Sequence, residues 1–476
     1  MTSVEEPVIT EIKEQSVSQQ LESFLPLITN SVVKFDPRYV LRVFRQHAAI
    51  RREIKADDLL DLINKTYPTT FPTVETLVGA LTPFSKKISK TDTDVDMDSD
   101  DHTVTEVSPE IDVFVHLMVQ IYLYDIGEIK ALYAFNKNVI ELLKKYNRRT
   151  LDYIQAKAWY YIFRSSEIAK DLINIRAELM NALRTATLSH DTETRASVIT
   201  LLLRNYILTN DINQAYNLVE KIEFPYEATT SIVARYHYYL AKIQTIQLDY
   251  SSANECIITA IRKCPQTKNA KGFLQSATKL QILIQLLTGE IPELSQFDDP
   301  ILFKSLRPYA EVTKAVRLGD LKIFNNALKT YGDHLKNDKN YNLVLRLREN
   351  VIKTGIRIIS LSYKRISLKD ICIKLHLDNE LTAEYIVAKA IKDGVVDISI
   401  NHTKGYIESL DVSDVYTTKA PQAEFDRRIK FCMQLNNDSV KAMRYPMTTG
   451  REKFDDDNEA RQREQELLQF LQEEDF

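Results

Sequence analysis

Four short polar turns recur between Thr192 and Tyr331, and each follows a leucine and precedes a new helical pattern. With Asp211, Asp249, Glu290 and Asp320 as markers, successive turns lie 38, 41 and 30 residues apart. The helices predicted after these turns are Ile212–Ile222, Ser251–Cys264, Ile291–Phe297 and Leu321–Tyr331. An irregular period of this size is typical of helical pairs that stack on their neighbours, because one pair cannot bury its apolar face alone.

Small residues and the scarcity of glycine also favour stacked helices. Ala215 and Ala253 lie four positions after the first two turn acids, where close helix packing needs small side chains. Glycine accounts for 10 of 476 residues, well below the usual ~7%, which leaves few positions for phosphate-binding loops. We therefore predict an all-α fold. It is a right-handed helical-repeat solenoid, similar to tetratricopeptide repeats, that ends in a winged-helix module with a small β-sheet and then C-terminal helices.

The stretch from Tyr341 to Asp411 has the element order of a winged helix. Ser367 can cap a helix, Asp393-Gly394 can end one, and alternating Val and Ile residues indicate strands around a turn at Asn401–Lys404. The predicted helices are Tyr341–Tyr363, Leu368–Leu375 and Thr382–Lys392, and the predicted strands are Ile366–Ser367, Val395–Ile400 and Gly405–Ser409. This order resembles the C-terminal half of a PCI domain, the module shared by the proteasome lid, the COP9 signalosome and the eukaryotic initiation factor three complex.

Changes in composition mark the predicted domain boundaries. The segment Lys90–Asp101 reads KTDTDVDMDSDD, and its six aspartates leave too little apolar surface to offset the entropy of ordering, so we predict a disordered acidic linker. The predicted domains are an N-terminal helical segment at 1–89, the acidic linker at 90–108, a helical-repeat solenoid at 109–231, a PCI domain at 232–412, and C-terminal helices with an acidic tail at 413–476.

The C-terminal region contains two further helical patterns. Pro421 opens the first, Gln422–Met443. The second, Phe454–Phe476, is strongly acidic but has an apolar stripe formed by Leu467, Leu468, Phe470 and Leu471. A segment this short gains helical stability by packing on other helices, so we predict a partner helix in a bundle. A frayed, solvated tail is the alternative.

The sequence contains no recognisable catalytic or metal-binding pattern. The phosphate loop GxxxxGK[ST], the elbow GxSxG and the zinc motif HExxH are all missing. The four cysteines form no CxxC pair, and the eight histidines never fall at metal-ligand spacing. We therefore predict a protein that is not an enzyme and has no cofactor. No run approaches ~18 apolar residues, and the N-terminus has no apolar signal region, so we expect no membrane association and a location in the cytoplasm and nucleus.

The winged-helix pattern raises the alternatives of nucleic-acid binding and protein binding. The second helix, TAEYIVAKAIKD, has charges that cancel and no arginine, whereas DNA-reading helices expose basic and amide side chains. We therefore expect nucleic acid not to be the partner, and an open sheet edge to bind another chain. The residues predicted to contact partners are Ile366, Val395, Val396, Ile398, Ile400, Tyr406 and Ile407 at the sheet, and Leu467, Leu468, Phe470 and Leu471 in the last helix.

Longer segments strengthen the resemblance to PCI subunits of the proteasome lid. They are Tyr238–Pro265, Arg307–Tyr331, Arg348–Asp378 and Phe425–Pro446. The resemblance implies a non-catalytic scaffold in the lid of the proteasome regulatory particle, joined to its neighbours through winged-helix edges and a C-terminal helical bundle. The implied partners in this hetero-oligomer are other PCI subunits of the lid, the small acidic lid subunit and, indirectly, the ATPase ring. A PCI scaffold of the signalosome or the initiation factor complex, and a nucleic-acid-binding PCI protein, stay open at this point.

Overall fold

The computed structural model describes residues 17–67, 72–84, 108–265, 267–377, 379–410, 416, 419 and 421–443. It divides the chain into two compact units, Met1–Gly355 and Ile356–Phe476, and the division falls inside one long helix. Residues 90–107 of the predicted linker and the predicted helix Phe454–Phe476 lie outside the described residues. The domain boundaries given above therefore stay predictions.

The described part of the first unit is built from α-helices joined mostly by short turns. Its elements are α1 (Val17–Glu22), α2 (Phe24–Lys34), α3 (Arg38–Ile50), α4 (Ala56–Thr66), α5 (Pro72–Leu81), α6 (Pro109–Ile126), α7 (Ile129–Lys145), α8 (Asp152–Ile168), α9 (Ile175–Leu188), α10 (Thr192–Thr209), α11 (Ile212–Lys221), α12 (Thr230–Ile246), α13 (Tyr250–Arg262), α14 (Lys271–Thr288), α15 (Phe303–Leu318), α16 (Leu321–Asn337) and the start of α17 (Tyr341–Ser362). Short 3₁₀ helices lie at Thr82–Phe84, Arg149–Leu151, Lys268–Ala270 and Leu294–Phe297.

Three of the four predicted turns lead into α-helices, and the fourth does not. Helices α11, α13 and α16 begin where the turns at Asp211, Asp249 and Asp320 end. The side chains of Asp249 and Asp320 accept hydrogen bonds from the first-turn amides of their helices. The predicted helix Ile291–Phe297 is wrong. Pro292 disfavours a helical conformation at Ile291, so a helix cannot begin there as predicted, and the segment contains only the 3₁₀ turn Leu294–Phe297.

Apolar packing and a few partly buried ion pairs join consecutive helices in the first unit. Ala215 and Ala253 are fully buried, as their positions after the turns predict. Glu167 of α8 accepts two hydrogen bonds from the guanidinium of Arg204 of α10, at 2.8 and 3.1 Å. Burial opposes ionisation of Glu167, but the hydrogen bonds from Arg204 and Arg164 outweigh burial and lower the pKa of this carboxyl.

Two glycines allow α15 and α17 to approach closely. Gly319 ends α15 with φ +66°, and a Cβ atom at this position would lie 2.5 Å from the backbone nitrogen of Gly355. No side chain fits at that separation. Glycine is therefore required at position 319 for both its backbone conformation and the contact.

The second unit contains the end of α17 and a winged-helix module. Its elements are β1 (Arg365–Ser367), α18 (Leu368–Leu375), α19 (Glu380–Lys392), β2 (Ile398–Asn401), β3 (Tyr406–Ser409) and a last helix, α20, at 421–443. Ser367 caps α18 by accepting a hydrogen bond from the amide of Asp370 at 3.2 Å. The strands form an antiparallel sheet in the order β1-β3-β2. The predicted fold class is confirmed: helical repeats, then a winged helix with a small sheet, then a C-terminal helix.

The second predicted strand is shorter than Val395–Ile400. Gly394 has φ +69°, and the amides of Gly394 and Val395 donate to the carbonyls of Ile391 and Ala390 at the end of α19. This pair of bonds satisfies the last carbonyls of the helix. Because the backbone at Val395 closes the helix, pairing in the sheet starts only at Ile398.

Candidate protein-interaction surfaces

The wing sheet has two outer edges, because β3 lies between β1 and β2. The amide of Leu410 donates to the carbonyl of Asp397 at 3.1 Å, next to the β2–β3 ladder. Paired residues in an antiparallel ladder alternate between hydrogen-bonded and non-hydrogen-bonded positions. The backbone groups of Ile398 and Ile400 therefore point away from β3. Among the described strands none pairs with this outer edge of β2, so a strand from another chain can extend the sheet there.

The structure separates the predicted sheet residues into buried, half-buried and edge positions. The side chains of Val396, Ile398 and Ile407 are buried. Those of Ile366, Val395, Ile400 and Tyr406 are half-buried. Ile366, Ile398 and Ile407 line one apolar pocket together with residues of α17, α18 and α19. The side chains thus contribute mainly to the interior of the module, and the backbone of β2 is its open part.

The backbone of Tyr406 and Ile407 is not available at an edge. Both residues lie in the central strand β3, with β1 on one side and β2 on the other. The sequence predicts three short strands but not their order, so it does not separate central from outer positions. Whether a partner contacts the predicted residues stays a prediction. Leu467, Leu468, Phe470 and Leu471 lie outside the described residues.

Helix α20 is the most exposed long helix of the described chain. Between its ends, at 422–439, every residue is exposed. Its large apolar side chains are Phe425, Ile429, Phe431, Met433, Leu435 and Met443, each more than half exposed. Helical stability in proteins comes mostly from packing of an apolar face. No such packing occurs within the described residues, so α20 is a candidate surface for a partner.

Helix α19 exposes two large apolar side chains at positions where a DNA-reading helix exposes polar ones. Leu381 and Tyr385 are exposed and lie one turn apart. Two charged or titratable groups of the wing sheet are paired within the module. The imidazole nitrogen Nδ1 of His402 lies 2.8 Å from the carboxylate of Glu384, and the guanidinium of Arg365 pairs with the carboxylate of Glu408 at 2.7 Å. Sequence reasoning missed the Leu381–Tyr385 pair, although its four-residue spacing is visible in the sequence.

Cys256, His47 and His116 of the first unit lie in environments that do not favour a catalytic role. Burial raises the pKa of the Cys256 thiol to about 11, so the thiolate is scarce at neutral pH. Burial, helped by the charges of Lys157 and Arg51, lowers the pKa of His47 to about 4. His116 is buried, and its Nδ1 lies 2.8 Å from the carbonyl oxygen of Asp112. These groups pack and hydrogen-bond within the helical layers.

Metal sites and membrane spans are both missing from the part of the chain that the structure covers. The described residues contain no group of three or more His, Cys, Asp or Glu side chains placed to hold a metal ion. Among the described helices, none combines the length and the apolar character that crossing a membrane requires. The features that stand out are therefore the outer edge of β2 and the exposed helices.

Comparison with known proteins shows the family to which the chain belongs. A family model described as PSMD3-like, N-terminal TPR repeats, matches residues 12–313. The PCI domain model matches residues 328–411, and a model for the C-terminal region of a proteasome regulatory subunit matches residues 414–476. The chain is 42% identical to the 26S proteasome regulatory subunit RPN3 of Saccharomyces cerevisiae, over 91% of this chain and 87% of that protein. The chain belongs to the proteasome regulatory subunit 3 family.

Other relatives in this family agree along nearly the whole length. The probable 26S proteasome regulatory subunit rpn3 of Schizosaccharomyces pombe is 42% identical over 96% of this chain and 90% of that protein. The probable 26S proteasome non-ATPase regulatory subunit 3 of Anopheles gambiae is 38% identical over the same shares. The resemblance to PCI subunits of the proteasome lid is confirmed. Within the family models, the winged helix falls in the PCI match and α20 in the C-terminal match.

Proposed function

We propose that this chain is a non-catalytic scaffold subunit in the lid of the 19S regulatory particle of the 26S proteasome. In this role it joins neighbouring PCI subunits through the winged-helix edge and contributes C-terminal helices to a shared bundle. Its partners are other PCI subunits of the lid, the small acidic lid subunit and, indirectly, the ATPase ring. The scaffold supports ATP-dependent degradation of ubiquitinated proteins in the cytoplasm and nucleus.

The observation that carries this proposal is the exposure of α20. Six large apolar side chains of α20 are more than half exposed within a segment that the proteasome C-terminal family model matches. Fully burying one such side chain stabilises by ~1.5–3 kcal/mol. A helix that leaves them in water is explained by a partner helix that covers them in the assembly.

The outer edge of β2 gives a test at a single backbone position. Ile400→Pro removes an amide that points outward, and proline is tolerated at such positions of edge strands. We expect the variant to fold and to lose incorporation into the lid, measured by native gel electrophoresis of affinity-purified complexes. Ile400→Ala is the matched control, because it removes most of the side chain and keeps the amide. Normal incorporation of Ile400→Pro would rule out pairing at this edge.

The bundle is tested by removing the acidic end of the chain. Deletion of Phe454–Phe476 is expected to leave the monomer folded and to block incorporation into the lid. Circular dichroism of the isolated chain and native gels of the complex measure the two effects separately. If the truncated chain assembled normally, the C-terminal segment would have no part in the bundle.

The identity of the assembly is tested by native purification of the tagged full-length chain with quantitative mass spectrometry. Recovery of lid subunits and ATPases in equal amounts is the expected result. Recovery of ribosomal or messenger-export proteins in their place would contradict the proposed function and leave only the PCI architecture.

A further inference from the structure

The connection between α14 and α15 is the longest ordered loop of the first unit's described residues. It covers Gly289–Leu302, which we call the strap, and its regular structure is limited to the 3₁₀ turn Leu294–Phe297. Connections of this length in compact domains are uncommon and usually functional. The sequence pattern places a repeat helix here, so the strap is a departure from the repeat.

The strap runs back along α15. The guanidinium of Arg317, in the last turn of α15, donates to the carbonyl of Pro292 at 3.3 Å. The amide of Phe303, at the first turn of α15, donates to the carbonyl of Asp299 at 2.9 Å. The strap therefore passes from one end of α15 to the other, a distance of about 24 Å for a helix of this length.

Buried side chains hold the strap in place. Pro292, Phe297 and Leu302 are buried, spread over its length. The 3₁₀ turn packs against α15. These contacts hold the backbone of the strap against α15. The remaining side chains of the strap are therefore held at the surface.

The outward side of the strap combines apolar and acidic groups. Ile291, Leu294 and Ile301 are exposed, as is Phe303 at the start of α15, with Leu294 65% exposed. The strap also contains four exposed carboxylates, Glu290 just before Ile291, and Glu293, Asp298 and Asp299 between Ile291 and Ile301. Residues 289–303 contain no Lys, Arg or His. None of the four carboxylates forms an ion pair with another described residue.

We propose that the strap is a docking surface for a basic amphipathic segment of another protein in the same assembly. Apolar side chains of the partner cover Ile291, Leu294, Ile301 and Phe303, and its Lys or Arg side chains pair with the four carboxylates. Charge complementarity selects this partner, because an acidic segment would meet four negative charges that have no ion pair of their own. The surface lies in the helical repeats and shares no residue with β2 or α20. This inference rests on the proposed function only for the identity of the assembly that supplies the partner.

Site-specific crosslinking in the assembled complex tests the docking surface. Leu294→p-benzoylphenylalanine is introduced in the tagged full-length chain, the native complex is purified and irradiated, and mass spectrometry identifies the crosslinked peptide. The expected product is a segment of another subunit with net positive charge and interspersed apolar residues. The same photoreactive residue at Lys329, an exposed polar position on α16, is the control. A yield at position 294 no higher than at position 329, or capture of an acidic or neutral segment, would overturn the proposal.

Charge reversal supplies a second, independent measurement. Glu293→Lys combined with Asp298→Lys is expected to lower the crosslink yield at position 294 roughly tenfold. The matched control, Glu255→Lys with Asp333→Lys, changes the net charge equally at exposed positions away from the strap and is expected to leave the yield unchanged. Equal yields in both double variants would contradict the role of the carboxylates. All four positions are exposed, so thermal unfolding of the isolated chain should be unaltered.

Copurification before irradiation separates this inference from the proposed function. If the chain copurifies with proteasome subunits and position 294 captures no basic segment, the docking surface is wrong and the scaffold role stands. If the chain copurifies with a different assembly and position 294 captures a basic segment, the docking surface stands and the proteasome role is wrong.

Discussion

Helices α10 and α20 have similar lengths and comparable numbers of large apolar residues, but they differ in burial. Thirteen residues of α10 are buried, spread round the helix, whereas the long central part of α20 is exposed on every face. Helix α10 packs against α8, α9 and α12. The difference teaches that apolar content alone does not locate the core: α10 is stabilised by its own chain, whereas α20 has no such packing within the described residues.

The largest expected effect on stability lies in α10. Leu202→Ala removes a fully buried side chain, and such substitutions cost ~2–5 kcal/mol because a cavity remains. We expect the free energy of unfolding of the unit Met1–Gly355, measured with urea, to fall by an amount in this range. Leu188→Ala at the end of α9 is the control, because that leucine is 82% exposed and its loss should change the free energy of unfolding by less than about 0.5 kcal/mol. Equal shifts for the two variants would break the distinction between buried and exposed leucines.

A similar effect is expected from the pH dependence of His47. The pKa of this buried histidine is lowered to about 4, while an unfolded histidine has a pKa of about 6.5. Between these values the unfolded chain binds more protons than the folded chain, so the free energy of unfolding falls as pH is lowered from about 6.5 towards 4. The expected loss is about 3 kcal/mol over this window.

Urea unfolding at a series of pH values measures the contribution of His47. His47→Asn should remove this contribution, so its free energy of unfolding should differ in pH dependence from that of the wild type by about 3 kcal/mol over the window, whereas His334→Asn, at an exposed position, should match the wild type. A pH slope that is the same in wild type and His47→Asn would show that other groups cause the loss. Lys157, Arg51 and Asp125 act on His47 in the folded chain, so their variants are not suitable controls.

A smaller contribution, ~1–3 kcal/mol from the helix contact alone, is expected where α15 meets α17. Gly319→Ala adds a methyl group 2.5 Å from the nitrogen of Gly355 and places a side chain at φ +66°. The backbone conformation costs ~1–2 kcal/mol and the overlap ~1–3 kcal/mol, partly relieved by movement of the helices. Gly127→Ala is the control, because its φ of +90° is also left-handed and nothing lies within 4 Å of the added atom. Both variants are unfolded with urea. The amount by which Gly319→Ala lowers the free energy of unfolding beyond Gly127→Ala measures the cost of disturbing the helix contact.

Much of the winged helix is predictable because its signals are local. Apolar spacing predicts the helix Tyr341–Tyr363, and the structure has Tyr341–Ser362. Ser367 caps α18 as its side chain and position predict. The strand order β1-β3-β2 depends on contacts between distant segments, and the start of β2 depends on how α19 ends at Gly394. Sequence spacing does not report either relation.

The candidate surfaces are less predictable than the fold. Side-chain type marks Ile398 and Ile407 as partner residues, but apolar strand residues also form the interior of the module, and the structure buries both. The sequence pattern predicts a repeat helix at the strap because Leu287-Thr-Gly-Glu290 matches the other turns, and only Pro292 signals the departure. Exposure decides which apolar residues are available, and exposure is set by the packing of the whole unit.

The smallest expected effect on the isolated chain, and a large effect on assembly, comes from α20. Ile429→Ser with Phe431→Ser removes two side chains that are more than half exposed, so the free energy of unfolding should change by less than about 0.5 kcal/mol. The same double variant should lose incorporation into the lid, because in the assembly these side chains would be buried against a partner helix. Native gels measure incorporation. Arg427→Ala with Lys430→Ala is the control, since it removes two long exposed side chains from the same helix and keeps its large apolar side chains. A destabilised monomer would mean that α20 packs on its own chain after all, and the contrast with α10 would disappear. A stable monomer that assembles normally would mean that the apolar side chains of α20 have another partner than the lid.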